Sequence, residues 1–171
     1  MQEKTAGTYE FTKNYLFASS SSDGAVKMWN MYSGEQTLQF AVPKERCSAM
    51  ALHQFHPYLI LAFTDGYLRF FEITKSRNLG RCQVSTEDHI VELRVLPSGK
   101  HILCATALGL VLLIFVDRWD PLAIRIDQVA SLNASVCRFE LSFVEPYNKW
   151  LVGTRNGRVL VYNRREFNAL N

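Results

Sequence analysis

The side chains best suited to chemistry in this chain are four histidines, four cysteines and two serines in short polar contexts. His53, His56, His89 and His101 show neither the H-E-x-x-H arrangement nor another paired spacing that sets two imidazoles on one metal. Cys47, Cys82, Cys104 and Cys137 lie far apart, without the C-x-x-C pairing from which zinc sites draw ligands. They are expected to be reduced thiols packed as small apolar side chains. Ser48 in CSAM and Ser98 in PSGK lack the strand–elbow–helix frame that exposes a G-x-S-x-G nucleophile. The glycines are isolated turn residues, so no loop is built to cradle a phosphate. Asp117 and Asp120 flank Trp119 in a connection that reads as a solvated turn and not as an acid–base pair. The expectation is a protein without catalytic residues, metal or cofactor, whose work is binding.

Composition narrows what it binds. The 171 residues carry 19 Lys and Arg against 16 Asp and Glu, a formal charge of +3, with the two signs interspersed. A nucleic-acid surface calls for a concentrated basic, aromatic-rich face, so a nucleic-acid-binding role stands as the alternative and not the first reading. A propeller enzyme with a central-channel site is a more distant one. The hydrophobic fraction of 48% is that of an ordinary globular protein. The longest greasy run, Leu108 to Val116, is too short for a membrane helix. The first ten residues are polar and have no apolar signal core. These features set the expectation of an intracellular, cytoplasmic protein away from the membrane.

The elements that would position such a surface are strands. LFASSSSDGAVKMWN, residues 16–30, reads as an apolar strand, a tight turn at Asp23-Gly24 and a returning strand through Trp29. The phrase recurs in worn form after Asp65-Gly66, Leu108-Gly109 and Asn156-Gly157, with glycine spacings of 42, 43 and 48 residues. A period in the forties built only of strands predicts an all-β array of four-stranded antiparallel units. The units fall at about 5–40, 47–84, 89–126 and 136–170. Opening and closing strands are expected at 5–11 and 166–170. The third unit is apolar on both strand faces, as a sheet sandwiched between two neighbours must be.

The first unit carries a family resemblance. Ser19, Ser21, Asp23, Gly24 and Trp29 resemble the Ser-x-Ser, Asp-Gly and V-x-x-W elements of the WD-repeat β-propeller family, with Asn30 in place of the usual Asp. In that family the turn Asp, a strand Ser or Thr, the Trp and a His form a hydrogen-bonded set, which either Ser19 or Ser21 would join here. Asp65-Gly66, Gly109 and Gly157 match the turn, and Phe71, Ile114 and Tyr162 stand where Trp29 stands. No Gly-His dipeptide occurs, so the resemblance implies blades held mainly by apolar stacking. Four blades are about half a typical ring. Open end sheets would leave apolar faces in water, which implies a segment of a larger propeller or a chain completed by a partner or second copy.

The resemblance implies a non-enzymatic protein–protein interaction scaffold inside a larger assembly. HPYLILAFTDGYLRFFEI is similar to degenerate propellers of large cytoskeletal and ciliary proteins, which adds cytoskeletal or ciliary association to the expectation. In a propeller the turns and inter-blade loops gather on one rim. Tyr67, Arg155 and Arg158 are the expected contact anchors there, because Tyr and Arg dominate interface hot spots. Partners are therefore other proteins, further blades, or a homodimer closing a ring.

Overall fold

The computed structural model describes residues 16–21, 23–42, 44–86, 88–132, 136–142 and 149–163. The described residues form fourteen strands and no helix. The first sheet comprises β1 (Leu16–Ser20), β2 (Ala25–Asn30) and β3 (Gln36–Ala41). The second comprises β4 (Cys47–Leu52), β5 (Tyr58–Phe63), β6 (Tyr67–Glu72) and β7 (Arg77–Gln83). The third comprises β8 (Ile90–Val95), β9 (His101–Thr106), β10 (Leu110–Arg118) and β11 (Ala123–Ser131). The fourth comprises β12 (Val136–Ser142), β13 (Lys149–Thr154) and β14 (Val159–Asn163). Each sheet is an antiparallel meander in chain order. The expected strands at 5–11 and 166–170 lie outside the described residues.

Two boundaries differ from the sequence pattern. Strand β7 starts at Arg77, inside the polar run that follows β6, because Glu72 pairs with Arg77 and Ser76 at φ 50° closes a tight loop. Strand β11 runs on to Ser131, well past Ile126, where the apolar pattern ends. It is the outer strand of its sheet, and polar Asp127 is exposed there at no cost in burial.

The sheets stack in chain order, and strand alternation explains how. In the second sheet Leu59, Leu61, Phe63 and Phe71 pack with Val26 and Met28 of the first. Their neighbours Ile60, Ala62, Leu68 and Phe70 point the other way, against Ile90, Leu93, Ile102 and Ile114 of the third. The third sheet repeats the device, with Leu103, Ala105 and Val111 meeting Val152 and Leu160 of the fourth. Phe40 and Phe71 rings meet across the first of these interfaces at 4.4 Å between centroids. Phe70 is fully buried, so truncating it to Ala would cost about 3–5 kcal/mol. The described residues form no closed barrel or ring.

A polar latch joins the second and third sheets at the end away from the Asp-Gly turns. His53 Nδ1 accepts the amide N–H groups of Phe55 (3.0 Å) and His56 (3.1 Å), so Nε2 carries the proton and donates it to the Gly99 carbonyl at 3.0 Å. Trp119 packs edge-on to His53 and stacks on Tyr58 at 4.5 Å. Beside them Arg77 bridges Glu72 (2.7 Å) and Asp120 (2.5 Å).

Candidate functional site

The turn end of the stack is where side chains with free chemistry gather. Each turn is fixed locally. Ser21 Oγ donates to Asp23 Oδ1 at 2.6 Å, and the same oxygen accepts the Ala25 amide at 2.9 Å, which together hold the Asp23 carboxyl below its usual range. Burial works to raise the Asp65 carboxyl. The paired hydrogen bonds from Arg69 (3.0 and 2.5 Å) and the Tyr67 amide overcome it and hold the group low. In the fourth sheet Thr154 Oγ lies within hydrogen-bond distance of Asn156 Oδ1 and the Arg158 carbonyl.

The loops leaving the sheets then close over these turns. A Cβ on Gly24 (φ +85°) would lie 2.1 Å from the Glu45 carbonyl, and one on Gly66 (φ +75°) would lie 2.1 Å from the Ser85 carbonyl. Glycine is required at both, for conformation and for space. Acidic side chains from the same loops supply the polar ties. Glu45 Oε2 accepts from Thr64 Oγ at 2.6 Å, and Asp88 Oδ2 accepts the Leu108 amide at 2.7 Å. The loop before the first strand of the second and third sheets thus supplies a carboxylate to the turn.

Between these loops lies a cleft of about 490 Å³, lined by Ser20, Ser21, Arg46, Cys47, Ser48, Thr64, His89 and Val91. Three successive sheets contribute to it. Arg46 is exposed, and among the described residues no carboxylate pairs with its guanidinium. Among the described residues the Ser48 hydroxyl is buried without a partner. Burial pushes the Cys47 thiol up to about 11, so it stays protonated and poorly nucleophilic at neutral pH. Among the described residues no group of three or more His, Cys, Asp or Glu side chains is placed to hold a metal. The described cysteines, Cys47, Cys82 and Cys104, are free thiols.

The residues singled out from sequence fall in three places. Ser19 and Ser21 divide the work that spacing left open: Trp29 Nε1 donates to Ser19 Oγ at 2.8 Å, while Ser21 serves the Asp23 turn. Phe71 packs into the first interface, and Gly109 donates its N–H to Thr106 and accepts from Leu132. Tyr162 pairs with Trp150 across β13 and β14. Tyr67, read as an exposed anchor, is half-buried; its hydroxyl donates to Gln83 at 3.2 Å and its ring lies beneath Arg81 and Arg69. Arg155 and Arg158 are exposed at the β13–β14 turn, where Gly157 has open space around it.

Sequence reading missed Glu45, Arg46, Asp88 and the His53 latch. The first and third were detectable in principle, since both acids precede a sheet's first strand and stand 43 residues apart. No family model and no curated protein matches this chain. No helix among the described residues is long and apolar enough to cross a membrane.

Proposed function

We propose that the chain is a segment of a WD-repeat-like β-propeller that serves as a non-enzymatic protein-interaction scaffold. The observation carrying this reading is the rim itself: turns and inter-sheet loops from successive sheets are tied together by Thr64–Glu45 and Leu108–Asp88 over an apolar stack. Loops fixed in this way bind a partner with little ordering cost. The raised Cys47 thiol in the cleft fits a binding surface better than a nucleophilic centre. Tyr67 with Arg69 and Arg81, Arg46 at the cleft, and Arg155 with Arg158 are the contact groups. In this reading the protein works in the cytoplasm within a larger assembly, with cytoskeletal or ciliary association.

The test is affinity capture from cytoplasmic extract by the immobilised chain, compared with Arg46→Glu and with Arg155→Glu/Arg158→Glu. Proteins retained by the wild type and lost with at least one of these variants, at unchanged melting temperature, are the expected outcome. Identical retention by all three overturns the rim as the contact surface. Retention of nothing overturns the scaffold.

A further inference from the structure

The two end faces of the stack are the two halves of an interface that the chain already makes three times. The second and fourth residues after each turn glycine point toward the following sheet: Val26 and Met28, Leu68 and Phe70, Val111 and Leu113. Opposite them across the preceding strand lie a small residue and then an apolar one. The pairs are Ser20 and Ala18, Ala62 and Ile60, Ala105 and Leu103. The fourth sheet repeats this face as Val159 and Val161 opposite Gly153 and Leu151. Val26, Met28, Leu68 and Phe70 are fully buried by the next sheet, whereas Val159 is 65% and Val161 53% exposed.

The receiving half stands at the other end. The fifth residue after the glycine faces the preceding sheet, as Phe71 and Ile114 do. In the first sheet that residue is Trp29, stacked on Phe17, which is 45% exposed. This face is already fit for burial. The indole N–H is satisfied by Ser19 within its own sheet, so covering it strands no donor. Lys27, 5.8 Å from the Trp29 ring, occupies the position that Arg69 holds in the second sheet. Arg69 is buried against the first sheet over the Phe63 ring at 4.8 Å, so a cation at that place is compatible with this packing.

We propose that the β13–β14 face of one copy docks on the Phe17–Trp29 face of a second copy, continuing the sheet stack from chain to chain. The contact is head-to-tail, and two such contacts close a two-copy ring of eight sheets. This inference rests on the reading of the chain as a propeller segment and names the partner that completes it.

Multi-angle light scattering over a concentration series tests it on the wild type, Phe17→Lys and Val161→Lys. Both positions are exposed in the single chain, and an unchanged circular dichroism spectrum confirms each variant's fold. The wild type is expected at twice the 19.6 kDa chain mass. Each variant alone is expected as a monomer, with association weakened about 100-fold or more by an ammonium placed in an apolar contact. Mixing the two variants restores one intact contact, so a heterodimer reappears only if the interface is head-to-tail. A wild-type chain that stays monomeric, variants that still pair, or a mixture that stays monomeric overturns the proposal. None of these outcomes bears on capture of other proteins at the rim.

Discussion

His53 links protonation to folding through three hydrogen bonds. Burial holds its pKa below the ordinary value; the Gly99 carbonyl works against this, and the neighbouring His56 adds to it. Phe55, Tyr58 and Trp119 pack the remaining sides. Burial lowers His101 as well, with Lys100 acting in the same direction. The unfolded chain takes up protons as pH falls through about 6.5, before the folded chain does. The stability these groups contribute is therefore fully present above that pH and is lost below it. The denaturant midpoint is expected to drop between pH 7.5 and pH 5.5. In His53→Gln, stability at pH 7.5 should fall by about 1–3 kcal/mol, the cost of stranding buried partners, and the slope with pH should flatten. A slope unchanged by the substitution would show that His53 is not its source. A smaller effect belongs to Ser19→Ala, which deprives the half-buried indole of its acceptor; chemical denaturation should register a loss of about 0.5–1.5 kcal/mol.

At the scale of elements, the turn glycines separate two requirements that sequence cannot tell apart. Gly66 and Gly157 both follow the same kind of turn and have φ near +75° and +78°. Only Gly66 lies beneath a carbonyl. Gly157→Ala should cost about 1 kcal/mol, the conformational penalty alone. Gly66→Ala should cost at least about 2 kcal/mol more in urea unfolding, because the Ser85 backbone must move. The strands and turns were legible in sequence because both rest on local pattern: alternation, apolar runs and Asp-Gly or Asn-Gly pairs. The two apolar faces of β9 and β10 even forecast a sheet covered on both sides. The cleft was not legible. Arg46, Ser48, Thr64 and His89 come from separate elements, and nothing local marks them as neighbours. The surroundings of Tyr67 were hidden for a related reason: Gln83 and Arg81 reach it from the adjacent strand, and cross-strand register is invisible to a motif.

The whole molecule behaves as a short one-dimensional stack, in which each sheet is stabilised by its immediate neighbours. The second and third sheets are covered on two faces, the first and fourth on one among the described residues. Native-state hydrogen exchange should therefore protect amides of Ile60 and Ile102 more strongly than those of Ala18 and Leu160 in the monomeric Val161→Lys background. Equal protection across all four sheets would indicate a single cooperative unit. The loops clamped over Gly24 and Gly66 bear on how such a chain can be cut and recombined. Val42 and Glu45 cap the turn of the sheet they follow, and Ser85 does the same for the next. The structural module is thus a sheet together with its outgoing linker, offset by several residues from the boundaries that strands alone suggest. A chimera joined directly after Ala41 would separate Gly24 from the backbone it was shaped to fit, whereas a junction at Cys47 would carry lock and key together.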